Sequence, residues 1–247
     1  MNNEKFNKWF NVFILAGMTA VMIITTAIKL QASQTDQALL IVAAFGSLMG
    51  VLSTVCSANA KILTFLFGFF DVALYGIMCF IDGKYGNAAL HMLYFVPMQF
   101  VGFFQWRKRG AASEEKMKAR RFKGNQWLLY SLLFLAGLAV SYFILDKIGG
   151  DSAASSVLKI AILMDAFSTM CNIIGQLLMS TAYMEQWFFW IGVNISSVIM
   201  WSISLADSSD SYALIYLIKY SFYLLNSLNG LRIWWQLSKP DELNQVL

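Results

Sequence analysis

Charged residues and prolines are scarce in this sequence. Only 13% of its 247 residues are Asp, Glu, Lys or Arg, only two are proline, and 58% are apolar. A soluble domain carries roughly twice this share of charged residues, so the composition excludes an ordinary soluble protein. Apolar segments long enough to cross ~30 Å of hydrocarbon recur along the chain, which favours an α-helical membrane protein over a β-barrel.

The residues of common catalytic and metal sites are also missing. The three cysteines form no CxxC pair, and the single histidine, His91, is better explained as a packing or ligand-facing donor than as a metal ligand. No Ser/His, paired-Asp or HExxH arrangement of a membrane protease is present. The chains of acids typical of a proton pump are absent too, since Asp71 and Asp165 are the main acids inside apolar segments. We therefore expect no enzymatic activity, no metal and no cofactor.

Apolar runs separated by polar breaks predict eight membrane helices. Pro97 lies inside the fourth, where its missing backbone donor predicts a kink at mid-membrane. The first run follows Lys5 and Lys8 as in a signal peptide, but its length and the lack of a small-residue cleavage site indicate an uncleaved helix. The predicted helices cover residues of about 10–28, 38–57, 62–81, 87–106, 126–145, 156–182, 187–206 and 211–236.

One strongly basic stretch, residues 107–123, interrupts the spans with eight lysines and arginines against Glu114 and Glu115. Between two spans, such a loop is better explained as a positive-inside topological signal than as a nucleic-acid site. Eight spans place both termini, the loops near residues 60 and 184 and this basic loop on one side, which holds 13 of the 18 lysines and arginines. We expect both termini to be cytoplasmic and no nucleic acid as a partner.

The second half of the chain weakly repeats the first. Residues 44–50 match residues 166–172 at an offset of 122, and residues 102–106 match residues 230–234 at an offset of 128. Residues 57–68 can also be laid over residues 180–192 with one insertion. Because the offset spans four helices, the two triplets have the same orientation, and such parallel repeats enclose a central cavity near mid-bilayer. The predicted division is an extra N-terminal helix (1–34), a first three-helix repeat (35–107), a basic loop and linker helix (108–150), a second repeat (151–238) and a cytoplasmic tail (239–247).

Amides, phenols and indoles inside the spans mark a candidate binding site. Trp187 and Trp190 lie three residues apart and Asn194 four beyond, so they share one helical face that could clamp a flat ring. An interfacial Trp belt followed by a packing asparagine is the competing interpretation. This chemistry suits a flat aromatic ring with several hydroxyls, and a cationic ring would gain further from the indole faces. The other polar candidates are Asn172, Gln176, Gln99, Tyr223 and Asn226.

Four segments resemble the PnuC family of bacterial vitamin transporters: residues 94–99, 102–108, 172–176 and 185–194. The resemblance covers residues of about 38–238, its most specific part is the WxxW followed by Asn, and the leading helix departs from it. It implies a SWEET-like fold with three, one and three helices in the bacterial inner membrane. It also implies uptake of nicotinamide riboside by facilitated diffusion, with a cytosolic nicotinamide riboside kinase trapping the product.

By the same resemblance, Trp187, Trp190 and Asn194 contact the substrate. Gln99 and Asn226 follow as hydrogen-bonding partners, and Asn172, Gln176 and Tyr223 come after them; helix packing is the competing explanation for each. A relative tuned to thiamine, riboflavin or a deoxynucleoside stays open, since these contacts do not identify the ring. A receptor or signalling protein is a distant alternative because the longest loop holds no output domain. Membrane lipids are expected neighbours, and a homo-oligomer is compatible with the resemblance.

Overall fold

The chain forms a bundle of long helices. The computed structural model describes residues 3–31, 37–81, 83, 85–111, 117–149, 156–206 and 213–239. The predicted tail beyond residue 239 and the middle of the basic loop, 112–116, lie outside the described residues. The elements are α1 (Asn3–Gln31), α2 (Gln37–Ala58), α3 (Leu63–Ile81), α4 (Tyr85–Leu90), a π-helical turn (His91–Phe95), α5 (Val96–Arg107), α6 (Gln126–Gly149), α7 (Ser156–Ser180), α8 (Gln186–Ala206) and α9 (Ala213–Leu237).

These elements supply the eight predicted spans, with α4, the π-helical turn and α5 together forming the fourth. Within the described residues, six helices are long and apolar enough to cross a membrane by length and composition: α1, α2, α3, α6, α7 and α8. The π-helical turn divides the fourth span, and α9 has 25 residues but carries Lys219 and Arg232. The prediction of an all-α polytopic membrane protein is confirmed.

The fourth span changes its helical geometry directly before Pro97. The backbone N–H of Val96 donates to the carbonyl of His91, five residues earlier. An α-helical turn would bring the proline ring against the carbonyl four residues before it, and one extra residue in the turn moves that carbonyl away. The sequence predicted a kink here, and the structure has a π-helical turn. This turn contributes His91 and Phe95 to the wall of the central cavity.

The first helix begins at Asn3, so its predicted start near residue 10 was wrong. The polar residues before the apolar run stay helical because they contact other helices. Asn11 exchanges 3.0 Å amide hydrogen bonds with Asn59 in the α2–α3 turn. Arg232 of α9 donates to Asn7. The leading helix is therefore fastened to α2 and α9 at this end of the bundle.

The α2–α3 and α7–α8 turns have the same backbone geometry. Ala60 and Ala182 are left-handed, with φ of 52° and 62°. In each turn, two backbone N–H groups donate to carbonyls of the preceding helix, α2 or α7. The donors are the left-handed residue and the residue after it, which is the pattern of a Schellman motif. Each turn is then capped by a tryptophan from the other half of the chain. Trp234 Nε1 donates to the Ser57 carbonyl at 2.9 Å, and Trp106 Nε1 donates to the Met179 carbonyl at 2.7 Å.

A buried cluster closes this end of the bundle. Its largest members are Trp106, Trp187 and Trp234, packed with Phe65 and Met179. Two glycines admit the rings, since a Cβ at Gly102 would collide with the ring of Phe65 and one at Gly230 with the ring of Trp187. Glycine is needed at both positions because the rings approach the helix backbone directly.

Gly230→Ala is expected to lower the free energy of unfolding by about 1–3 kcal/mol, because the added methyl must displace the packed ring of Trp187. Thermal unfolding of the purified protein in detergent measures the effect. Gly86→Ala is the matched control, because nothing lies within 4 Å of a Cβ at Gly86. An equal change in the two variants would contradict the close packing of Trp187 against α9.

The basic loop is fastened across the same end. Arg120 pairs with the α7–α8 turn through two backbone hydrogen bonds, of 2.7 Å to the Ala182 carbonyl and 2.9 Å from Met184 N–H. The side chain of Glu185 is fully buried, and its Oε1 accepts the N–H of Phe122 at 2.8 Å. Burial raises the pKa of this carboxyl above its usual value, and the Phe122 N–H acts in the opposite direction.

Glu185→Ala is expected to lower the free energy of unfolding by about 1–3 kcal/mol, because the buried Phe122 N–H loses its acceptor. Glu185→Gln keeps an acceptor oxygen and serves as the control. Because the folded-state pKa is raised, the stability this group contributes is present at low pH and is lost as the pH rises through that pKa. Unfolding temperatures measured at several pH values should therefore show a smaller pH dependence in Glu185→Gln. An unchanged pH dependence would contradict a buried ionisable carboxyl.

Candidate functional site

A central cavity of about 570 Å³ lies between α2, α3, the fourth span, α7, α8 and α9. Its wall runs from Asn87, near the start of α4, to Met179 and Trp187, which also belong to the buried cluster. The cluster therefore forms the floor of the cavity. Seven of the eight side chains predicted to bind substrate lie in this wall: Gln99, Asn172, Gln176, Trp187, Trp190, Asn194 and Tyr223.

The two tryptophans of the WxxW segment have different surroundings. Trp190 is partly buried, its Nε1 donates to Gln186 Oε1 at 3.4 Å, and its ring lies 3.3 Å from the position of a Cβ at Gly175. Gly175 of α7 thus supports the Trp190 ring, which also lines the cavity. Trp187 is only 2% exposed, and its Nε1 is buried without a hydrogen-bond partner. Trp190 is therefore the better placed of the two to stack on a ligand.

The amides of the wall are held by neighbouring groups. Asn194 Nδ2 donates to Ser227 Oγ at 2.9 Å, and Gln176 Nε2 donates to Ser180 Oγ at 3.0 Å. Gln99 Nε2 donates to the Phe95 carbonyl at 3.2 Å, whereas its Oε1 is buried without a partner. Fixed amides present their remaining donors and acceptors in set directions, which suits recognition of a polar ligand.

Two predicted residues of α9 have different positions. Tyr223 lies in the cavity wall. Asn226 does not, because it is fully buried and its Nδ2 donates to the Thr54 carbonyl at 3.2 Å. Thr54 belongs to the wall, so Asn226 joins α9 to α2 behind the cavity surface. The structure thus gives Asn226 a place in helix packing rather than in the wall.

The cavity wall also contains ionisable residues that were not among the predicted site residues: Asp71, Tyr75, His91, Asp165, Lys219 and Tyr220. Ionisable groups inside spans are themselves a signal for a functional site, and that signal could have found Asp71 and Lys219. Asp71 of α3 and Lys219 of α9 lie in the same cavity wall.

The charged groups of the wall limit what the cavity can hold. They are two carboxylates, Asp71 and Asp165, and one ammonium, Lys219, and no arginine lines the cavity among the described residues. The described residues also contain no group of three or more His, Cys, Asp or Glu side chains that could hold a metal ion. Indoles, phenols and amides therefore outnumber the carboxyl and amine groups in this wall.

Known proteins resemble this chain over almost its whole length. Residues 40–236 match the family model described as Nicotinamide mononucleotide transporter. The Nicotinamide riboside transporter PnuC of Neisseria mucosa is 33% identical over 201 residues, which cover 80% of this chain and 73% of that protein. The protein of the same name from Haemophilus influenzae is 28% identical over 233 residues, covering 94% and 89%.

A solved structure agrees with these sequence matches. The crystal structure of the Vitamin B3 transporter PnuC matches this fold with a TM-score of 0.64 and 29% identity, covering 92% of this chain and 91% of that one. The PnuC resemblance carried by the sequence motifs is confirmed, and the related proteins are named as transporters, not enzymes. The chain therefore belongs to the nicotinamide mononucleotide transporter family, as a multi-pass membrane protein of the PnuC type.

Proposed function

We propose that this protein carries nicotinamide riboside across the bacterial inner membrane. The observation that carries the proposal is the cavity, which gathers Trp190, Asn194 and Gln99 in one wall. Its volume of about 570 Å³ lies within the range of small-molecule sites. The pyridinium ring of the substrate stacks on Trp190, and the ribose hydroxyls and carboxamide bond to the fixed amides.

A nucleoside fits the wall better than a nucleotide. The matching family is described by the mononucleotide, whereas the similar curated proteins are named for the riboside. Phosphate is often bound by clustered arginines or lysines, but the described wall offers only Lys219 against Asp71 and Asp165. A dianionic phosphate would therefore be repelled, which favours the riboside as substrate.

The proposed organisation is a three-plus-one-plus-three parallel repeat behind the leading helix, with the boundaries given in the sequence analysis. It is supported by pairs of equivalent contacts, one in each half, whose residues are separated by the offsets of the sequence repeat. Ala60 and Ala182 share a turn geometry, and Trp106 and Trp234 each cap the turn of the other half. In such a carrier, one repeat moves against the other around a fixed substrate site.

The proposed topology places the basic loop and both termini in the cytoplasm, because lysines and arginines collect on that side. The buried cluster then closes the cytoplasmic end of the cavity, so the cavity opens toward the opposite side of the membrane. Substrate moves by facilitated diffusion, and phosphorylation by a cytosolic nicotinamide riboside kinase keeps uptake directional. The outer face of α6, with none of its span buried within the chain, is available to lipid or to a second copy.

Uptake of labelled nicotinamide riboside into proteoliposomes tests this proposal. We expect exchange with unlabelled substrate and equilibration across the membrane, unchanged when a proton or sodium gradient is imposed. Enclosed kinase and ATP should turn equilibration into accumulation. With the membrane potential held at zero, accumulation driven by a proton or sodium gradient without the kinase would contradict facilitated diffusion. No uptake at all would contradict the substrate assignment.

A further inference from the structure

The central cavity contains an acid and a base on two different helices, and the aromatic and amide contacts proposed above use neither. Asp71 is on α3 and Lys219 on α9, and both lie in the cavity wall. Charged groups within a span are costly and are retained where they pair or serve a function. Two such groups in one wall need an explanation beyond helix packing.

The position of Asp71 is built into the helix packing. A Cβ at Gly50 of α2 would lie 2.9 Å from all three atoms of the Asp71 carboxyl group. The glycine thus leaves the space that this carboxyl group occupies. The helix α2 packs against both α3 and α9, and Asp71 and Lys219 line the same cavity from these two helices. The Lys219 Nζ lies 5.7 Å from the centre of the Tyr223 ring, which also lines the cavity.

Asp71 lies at the depth of Asn194, about one helical turn from the proposed stacking residue Trp190. Phe65 of α3 and Trp187 of α8 have equivalent places, since each ring packs on a glycine of the last helix in its own half, Gly102 or Gly230. Six residues further along each helix come Asp71 and Val193, and Val193 lies directly before Asn194. Asp71 is therefore level with Val193 and Asn194, about one helical turn beyond Trp190.

We propose that Asp71 is the counter-ion that selects a positively charged ring, and that Lys219 neutralises it in the empty carrier. This inference rests on the proposed function. When the cationic ring occupies the cavity, it replaces Lys219 as the positive charge that interacts with Asp71. A neutral ring of the same shape gains nothing from Asp71, so the pair discriminates by charge rather than by size.

Binding titrations with two ligands test this role. Nicotinamide riboside has a cationic ring, and its reduced dihydropyridine form has nearly the same shape with a neutral ring. We expect Asp71→Asn to weaken binding of the cationic form about tenfold or more and to leave the neutral form within about twofold. Lys219→Met should tighten binding of the cationic form, because the competing ammonium is gone. Asp146→Asn, on α6 and outside the cavity wall, is the control.

The outcomes separate this inference from the proposed function. Retained binding of the neutral form shows that Asp71→Asn is folded. Equal weakening of both ligands by Asp71→Asn, or no weakening of either, would overturn the counter-ion role and leave the substrate assignment in place. Weaker binding of the cationic form by Lys219→Met would also overturn it. No binding of either ligand to the unaltered protein would overturn the proposed function and this inference with it.

Discussion

Trp190→Ala is expected to weaken nicotinamide riboside binding by about tenfold to a hundredfold. Stacking of one base on an aromatic side chain contributes about 1–3 kcal/mol, and a cationic ring gains more from an indole face. The effect should fall on affinity rather than on folding, since Trp190 is only partly buried. Calorimetric titration of the purified protein measures the loss, and Trp190→Phe should recover part of it.

Ile195→Ala is the matched control for this experiment. Ile195 lies on the same helix, is 45% exposed and is not part of the cavity wall. Its replacement should leave affinity unchanged. An unchanged affinity in Trp190→Ala, or an equal loss of folding and binding in that variant, would contradict a stacking role.

Trp106→Ala is expected to cost about 3–5 kcal/mol of folding free energy, which is the range for deleting a buried aromatic residue. Trp106 is 0% exposed, its ring lies 4.8 Å from that of Phe65, and its Nε1 caps the α7–α8 turn. Loss of this much stability should prevent isolation of a folded protein or lower its unfolding temperature strongly. Thermal unfolding in detergent, followed by tryptophan fluorescence, measures it.

Milder variants isolate the hydrogen bond between the halves. Trp106→Phe and Trp234→Phe each remove one N–H donor to a turn of the other half, and each should cost about 1–3 kcal/mol. Trp9→Phe is the control, because Trp9 is 72% exposed. The equivalence of the two turns would be contradicted if only one of these two variants lowered the free energy of unfolding and the other had as little effect as Trp9→Phe.

The span count was predictable because hydrocarbon imposes length and apolar composition on each helix. The exact helix ends were not. The first helix starts at Asn3 because Asn7 and Asn11 contact distant parts of the chain, and such contacts leave no trace in local hydropathy. Pro97 marked a disturbance, but sequence does not distinguish a kink from the π-helical turn that accommodates it.

Residues of the cavity wall were predictable where their types are costly inside a membrane. Asn194 and Gln99 stood out for that reason, and both lie in the cavity wall. Helical spacing placed Trp187 and Trp190 on one face, but only tertiary packing shows Trp187 buried against Gly230 and Trp190 beside the cavity. Asn226 has the same chemistry as Asn194, yet it bonds to a carbonyl of α2 behind the wall.

A binding titration on the purified protein tests the central claim most directly. The ligands are nicotinamide riboside, its mononucleotide, nicotinamide, thiamine and riboflavin. We expect saturable binding of the riboside, much weaker binding of nicotinamide because it lacks the ribose, and none of the mononucleotide because the wall offers its phosphate no arginine among the described residues. Saturable binding of thiamine or riboflavin, with none of nicotinamide riboside, would contradict this account.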